Sequence, residues 1–435
     1  MTTGALKILW RIENALVISD MEKQILRFTT AGSVDDGKST LIGRLLYETN
    51  SIPEDQLSWL NEVSKQKGQS RIDFSLLTDG LRAEREQGIT IDVAYRYFET
   101  PKRRFIIADT PGHLQYTRNM VTGASQASLA LILVDARNGL VEQTFRHSYI
   151  LSLLGIRQII LCVNKMDLVD YSQERFESVA SAYIEFSKSL NFTQVECIPL
   201  VAINGDHVTT RSDAMPWYTG KCLLDSLENA SVNWHEYQDN FRFPVQYVIR
   251  PQSNSYPDFR GYAGRIVSGH CQIGDEITIL PAGLQARISE IRNGKDKISS
   301  AQAPMSVTLV LDHALDVGRG DLLTASTDLP SPFQQFELMI CWLNHSSLTS
   351  GKRFIIRHHS TGVKGILQSF NYRLNVTDQR RETVTENASM NDLVSVMIKS
   401  SGPLFLESYR KNKIMGSVIL IDEITGETLA AGIFL

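Results

Sequence analysis

The chain has 435 residues, 43% of them hydrophobic and 21% charged, with a formal net charge of −4. That length exceeds what one ordinary core serves and points to two or three domains, while the composition excludes a disordered or collagen-like chain. With no basic surplus, a nucleic-acid partner is not expected.

The first stretch, MTTGALKILWRIENALV, is apolar but interrupted by Arg11 and Glu13. It lacks a signal-peptide core and a small-residue cleavage site, so residues 1–24 read as an N-terminal extension. No run reaches the roughly 18 apolar residues that a membrane crossing needs. Cys162, Cys197, Cys222, Cys271 and Cys341 are scattered, with no C-x-x-C pair. Neither a zinc site nor a disulfide framework follows, and reduced thiols in a cytoplasmic protein are expected.

Ile25–Ala31 reads as a strand and STLIGRLLYET as a helix, with GSVDDGKST (residues 32–40) bridging them. Gly32 and Gly37 allow the backbone to approach an anion closely, and the following helix adds its positive end. Lys38 would reach the β- and γ-phosphates of a nucleotide, and the Ser39 hydroxyl would ligate Mg²⁺. By chance the pattern arises in roughly one or two of a hundred chains this long, but here it sits between strand and helix as a phosphate cradle requires. EREQGITID (84–92) alone is an ordinary turn into a strand. Beside a cradle, Thr90 would ligate Mg²⁺ and offer its N–H to a γ-phosphate, so the loop would order with triphosphate and loosen with diphosphate.

FIIAD (105–109) is a second strand, ending in DTPGH: Asp109, Thr110, Pro111, Gly112 and His113. Asp-x-x-Gly by itself is common. Next to a cradle, Asp109 would hold a Mg²⁺-bound water, Gly112 would meet the γ-phosphate, and His113 would orient the attacking water. LALILVD (129–135) and QIILCVN (158–164) are further strands. The latter runs into NKMD, where Asp167 would accept from N1–H and the exocyclic amine of guanine, selecting GTP over ATP. Asn164 and Lys165 would brace that loop; the alternative for Asp167 is a helix cap. Gln194–Val201 reads as a fifth strand, followed by Val201-Ala202-Ile203, where the Ala202 N–H would touch the base but Val201 supplies no bracing hydroxyl. Such apolar strands spaced by helices predict a parallel sheet covered on both faces, with ligands at the strands' carboxyl ends.

From Phe241 the helical period stops. DEITIL, ARISEI and SVTLVLD alternate between glycines, as in a small antiparallel barrel; DLPSPFQQF (328–336) reads as a linker. Alternation then resumes with FIIRHHS, TVTENASM and SVILIDE. The expected architecture is an α/β P-loop GTPase domain at 25–238, followed by antiparallel β-barrels at 239–328 and 329–435.

Together the five motif stretches resemble the elongation factor Tu group of translation-factor GTPases. The wording between them (LLTDGLRAEREQGITIDVAYRYFET, DTPGHLQYTRNMVTGAS, MPWYTG and FRFPVQYVIRP) is similar to the large, GTP-binding subunits of bacterial sulfate adenylyltransferases. The resemblance implies a GTP site built from Gly32, Ser33, Val34, Asp35, Asp36, Gly37, Lys38, Ser39 and Thr40, then Asp109 to His113, Asn164, Lys165, Met166, Asp167, Ala202 and Ile203. Mg²⁺ would be held by Ser39 and Thr90 directly and by Asp109 through water, with His113 catalytic. In some relatives of the class an acid or amide at the position of Asp35 holds a monovalent cation; a carboxylate simply solvated at the loop edge is an equal reading. The resemblance further implies a separate catalytic subunit that binds ATP and sulfate, whose formation of adenosine 5′-phosphosulfate is driven by GTP hydrolysis. Some relatives carry a fused adenylylsulfate kinase; without a second G-x-x-x-x-G-K-[ST], that activity is not expected. The alternative is a translation factor acting with transfer RNA or the ribosome.

Overall fold

The computed structural model describes residues 24–66, 72–77, 93–112, 117–231, 240–251, 259–375, 380–383 and 387–435. The chain divides into two compact units, residues 1–232 and 233–435.

The first unit is built on β1 (Ile25–Gly32), β2 (Ala94–Glu99), β3 (Arg104–Asp109), β4 (Leu129–Asp135), β5 (Gln158–Asn164) and β6 (Gln194–Pro199), in spatial order β2-β3-β1-β4-β5-β6. Every neighbouring pair is parallel except β2–β3. Every residue of β4 and β5 is buried, which is why they read as unbroken apolar runs: both faces are covered. The helices are α1 (Lys38–Glu48), α2 (Glu54–Gln66), α3 (Thr117–Ala124), α4 (Glu142–Leu153), α5 (Gln173–Ser187) and α6 (Leu223–Asn229). In α1, Leu41, Ile42, Leu45 and Leu46 repeat at helical spacing and enter one core with Phe28, Phe105 and Leu131. Phe98 on the antiparallel edge strand stacks on Phe105 with ring centroids 4.4 Å apart.

This topology places the site. β1 has β3 on one side and β4 on the other, so connections leave it in opposite directions and a crevice opens at its carboxyl end. Gly32, Asp109, Asp135 and Asn164 are the last residues of β1, β3, β4 and β5, and the β4–β5 register sets Asp135 beside Asn164.

The second unit holds two antiparallel barrels. The first contains β7 (Arg242–Ile249), β8 (Gly261–Arg265), β9 (His270–Gln272), β10 (Glu276–Leu280), β11 (Leu284–Asn293), β12 (Asp296–Ile298), β13 (Ser300–Gln302), β14 (Ser306–Leu311) and β15 (Leu322–Ala325). Its ring runs β10-β15-β7-β8-β14-β11 and is closed by β10–β11 pairing. The second contains β16 (Phe333–Trp342), β17 (Leu348–Thr349), β18 (Arg353–His358), β19 (Thr361–Leu374), β20 (Arg381–Glu382), β21 (Asn387–Ala388), β22 (Leu393–Leu404), β23 (Ser417–Ile421) and β24 (Thr428–Phe434). Its ring, β18-β23-β24-β16-β22-β19, is closed by β18–β19 pairing. Inward residues such as Phe243, Ile277 and Leu309 fill the first barrel, and Leu338, Trp342, Phe354 and Val396 fill the second. Closure removes the exposed sheet edges that short strands would otherwise present.

One sequence expectation is corrected here. The segment 328–336 is only partly a linker: β16 begins at Phe333, and Phe336 is buried in line with Leu338 and Ile340. The two prolines at 330 and 332 mask the onset of that alternation. Among the described residues, no helix is long and apolar enough to cross a membrane.

Arg242 ties the two barrels together. Its guanidinium is 3% exposed and meets Glu407 at 2.7 Å and Asp328 at 2.6 Å, and it donates to the Thr324 hydroxyl at 2.8 Å. Around it, Val267, Leu280 and Leu322 of the first barrel pack on Met415 of the second, and Asn412 donates to the Ser268 hydroxyl at 3.2 Å. Arg242→Ala is expected to cost about 3 kcal/mol, the low end for breaking a buried pair because both carboxylates keep contact with water. Denaturant unfolding of the full chain measures it; a change below half that value removes the tie.

Candidate functional site

The loop from Gly32 to Lys38 turns back on itself through left-handed backbone. Asp35 has φ 65° and Gly37 φ 93°. Gly37 caps α1 and has no room for a Cβ, which would run into the Asn164 carboxamide. The Ser33 N–H donates to the Asp36 carboxylate at 2.5 Å, closing the turn. Asp35 is exposed, whereas Asp36 is 5% exposed. Burial pushes the Asp36 carboxyl up from its ordinary range, opposed by the nearby Lys38 ammonium.

Lys38 is the charge around which the loop closes. Its ammonium donates to the Gly32 carbonyl at 3.1 Å and the Ser33 carbonyl at 2.7 Å. Burial lowers its pKa, and Asp109, Asp36 and Asp35 work against that shift. A buried cation at a helix N-terminus, with backbone N–H groups beside it, is an electrostatic trap for an oxyanion. Ser39 and Thr40 follow in the first turn of α1, both half-buried.

Asp109 is fully buried at the end of β3 and accepts from the Thr30 hydroxyl at 2.9 Å. Thr110 donates its hydroxyl to the Thr30 carbonyl, so the two strands are stitched at their ends. Pro111 and Gly112 are buried next to the loop. A Cβ on Gly112 would lie 2.6 Å from the Lys38 ammonium and 2.8 Å from the Gly32 carbonyl. Only glycine permits this approach, which brings the two motifs within one cradle. His113 and Thr90, with the rest of residues 84–92, lie outside the described residues.

The third motif is joined to the first by one side chain. Asn164 donates its amide to the Asp36 carbonyl at 2.8 Å and accepts from the Ala202 N–H at 3.0 Å. Ala202 therefore spends its N–H on Asn164, and this bond braces the last loop despite Val201 having no hydroxyl. Arg44 of α1 holds the same loop, through the Ala202 carbonyl at 3.2 Å and the Ile203 carbonyl. Met166 is fully buried and opens a short 3-10 turn, Met166–Val169, in which Asp167 is second and half-exposed.

Two groups escaped the sequence reading. Asp135, 3% exposed, meets Lys165 at 3.0 Å and Arg137 at 2.7 Å. Burial pushes its carboxyl up, but the bonds from Arg137 and Lys165 prevail and hold it well below the ordinary range. Its sequence signal was a lone acid ending an apolar strand; in the sheet its register partner is Asn164. The other is His147 on α4, buried near Lys38 and kept neutral with a pKa pushed down to about 3. His147 leaves no sequence trace beyond helical spacing.

Mg²⁺ fits this donor set. A Ser39 hydroxyl and the Asp109 carboxylate are hard oxygens beside the phosphate cradle, the ligands that this ion takes.

A glycine cradle with a buried lysine, at the switch point of a parallel sheet and followed by two barrels, defines a P-loop nucleotide-binding protein of the elongation factor Tu type. Residues 23–233 match the elongation factor Tu GTP binding domain and residues 335–435 the GTP-eEF1A C-terminal domain-like family. The chain is 46% identical over 423 residues to sulfate adenylyltransferase subunit 1 of Bacteroides fragilis, covering 97% of this chain and 88% of that protein. It is 43% identical to the protein of the same name from Saccharophagus degradans, covering 96% and 88%. With the bifunctional enzyme CysN/CysC of Mycobacterium tuberculosis it shares 46% identity, over 94% of this chain and 67% of that one. Among solved structures, the Ski7 GTPase-like domain of S. cerevisiae, bound to GDP and inorganic phosphate, overlays with a TM-score of 0.53 at 18% identity, covering 97% and 99% of the two chains, a likeness of fold. The chain belongs to the sulfate adenylyltransferase subunit 1 family.

Asn164→Ala removes both bonds that join the loops and strands the Ala202 N–H and the Asp36 carbonyl. A loss of about 2 kcal/mol is expected for these buried groups, read from unfolding of the full chain without nucleotide. An unchanged midpoint would show that the loops are held by other contacts.

Proposed function

We propose that this chain is the GTP-hydrolysing subunit of a heteromeric sulfate adenylyltransferase. A second subunit joins ATP and sulfate into adenosine 5′-phosphosulfate and pyrophosphate, and GTP hydrolysis to GDP and phosphate here drives that uphill step. The reading is carried by 46% identity along 97% of the chain to a sulfate adenylyltransferase subunit 1. Against a translation-factor role, the likeness to the Ski7 GTPase-like domain is one of fold at 18% identity.

Within this reading, the loop from Gly32 to Thr40 wraps the phosphates, with Lys38 supplying charge at the β- and γ-positions. Arrival of an anion favours the protonated lysine that burial disfavours. Ser39 and Thr90 would hold Mg²⁺ directly and Asp109 would hold it through water, where it would supply positive charge against the phosphate oxygens. Gly112 gives its N–H to the γ-phosphate, and His113 orients the attacking water. Asp167 reads the guanine N1–H and amine, with Lys165, anchored by Asp135, lying along the base. Because the Ala202 N–H donates to Asn164, the contact to the guanine oxygen passes to Ile203. Loss of the γ-phosphate releases the segments around Thr90 and Gly112, a two-state element that the other subunit reads.

The decisive measurement is adenylylsulfate formation by the reconstituted complex with and without GTP. With Asp167→Asn, xanthosine triphosphate is expected to replace GTP as the driving nucleotide, because the amide meets the extra xanthine carbonyl. If product yield ignores GTP, or the variant keeps its guanine preference, the coupling role or the base contact is wrong.

Hydrolysis itself resolves two further residues. His113→Ala should leave GTP affinity nearly intact and slow turnover at least tenfold. Asp35, exposed at the loop's turn, would share any potassium ion with solvent; turnover equal in potassium, sodium and a bulky organic cation removes the ion from that position.

A further inference from the structure

The second barrel carries a charged face that the nucleotide site does not use. Along β18 the side chains alternate, with Phe354, Ile356 and His358 buried and Arg353 and Arg357 exposed. The pairing registers continue that outer face across four strands. Arg353 stands opposite Ile366, which stands opposite Lys399. Two residues along, Ile421 pairs with Ile355 and Ile355 with Lys364. In the next row Ile419 pairs with Arg357. Arg353, Lys364, Ile366 and Lys399, with Glu423, line a shallow cleft of about 420 Å³.

The four cations Arg353, Arg357, Lys364 and Lys399 are all exposed. Among the described residues none of them forms an ion pair, whereas elsewhere on the same barrel Lys352 pairs with Asp422 at 3.2 Å and Arg373 with Asp392 at 3.2 Å. The chain as a whole is acidic, with a net charge of −4, so the patch runs against the average. Like charges crowded on one sheet face repel, and the barrel gains nothing from them in isolation. Between them lie isoleucines: Ile419 is 43% exposed, and Ile355, Ile366 and Ile421 are half-buried. Cations interleaved with aliphatics match a protein surface that presents carboxylates around apolar side chains. These rows hold no aromatic ring on which a base could stack, which disfavours single-stranded nucleic acid.

We propose that this face of β23, β18, β19 and β22 docks an acidic surface of the subunit that binds ATP and sulfate. The inference rests on the functional reading above and deepens it by locating the partner's contact. Salt governs the encounter: exposed charges are screened within about 10 Å at 0.1 M ionic strength, so association slows steeply as salt rises.

The test is binding of the full chain to the purified adenylylating subunit across a salt series, using Arg353→Glu with Lys399→Glu and, as a milder pair, Arg353→Gln with Lys399→Gln. Expected are at least a tenfold weaker affinity for the reversed pair, a smaller loss for the neutral pair, a shallower salt dependence for both, and unaltered basal GTP hydrolysis. Full affinity in a neutral pair that melts like the parent overturns the surface while leaving the subunit assignment intact. Absence of binding by the parent chain at every salt overturns the assignment and the surface together. Loss of RNA binding with no loss of subunit binding would reassign the face to a nucleic acid.

Discussion

One carboxamide holds the nucleotide site together. Asn164 gives its amide hydrogen to the Asp36 carbonyl and takes the Ala202 N–H on its oxygen, joining three loops that leave the sheet at separate strands. Each of those loops is short of regular structure, so its own backbone bonds cannot hold it in register with the others. The distance between the Gly32–Lys38 loop and the Met166–Val169 turn is therefore set by a side chain at the end of a fully buried strand. The parallel register carries that precision to Asp135, which anchors Lys165 from the neighbouring strand.

The second constraint is the burial of charge. Lys38 is held by two carbonyls and surrounded by Asp36 and Asp109, all of them nearly or fully buried. In low dielectric such groups are costly alone and strongly coupled together. A site preloaded in this way favours a ligand that brings several negative oxygens and a divalent ion at once. Gly112, packed where a methyl group would collide with the Lys38 ammonium, is how the second motif joins that cluster.

Much of this was legible in the residues. The strands LALILVD and QIILCVN are seen over the expected spans, because a strand buried on both faces must be apolar throughout and its ends must be polar. The cradle is legible because glycine and lysine have few other reasons to occur at that spacing. Register was not legible: nothing in the chain announces that Asp135 lies level with Asn164, since pairing depends on residues far apart in sequence. Asp35 drew the eye, yet its neighbour Asp36 is the one turned inward, a distinction made by left-handed backbone at residue 35. The onset of β16 was obscured by two prolines, whose turn signal outweighs a four-residue alternation.

Arg242 has a mechanical meaning as well as an energetic one. By clamping Glu407 and Asp328 at once, beside the apolar seam of Val267, Leu280, Leu322 and Met415, it makes a pair of barrels behave as a single lever arm. Load applied to one barrel would pass to the other through this joint of ion pairs and packed side chains.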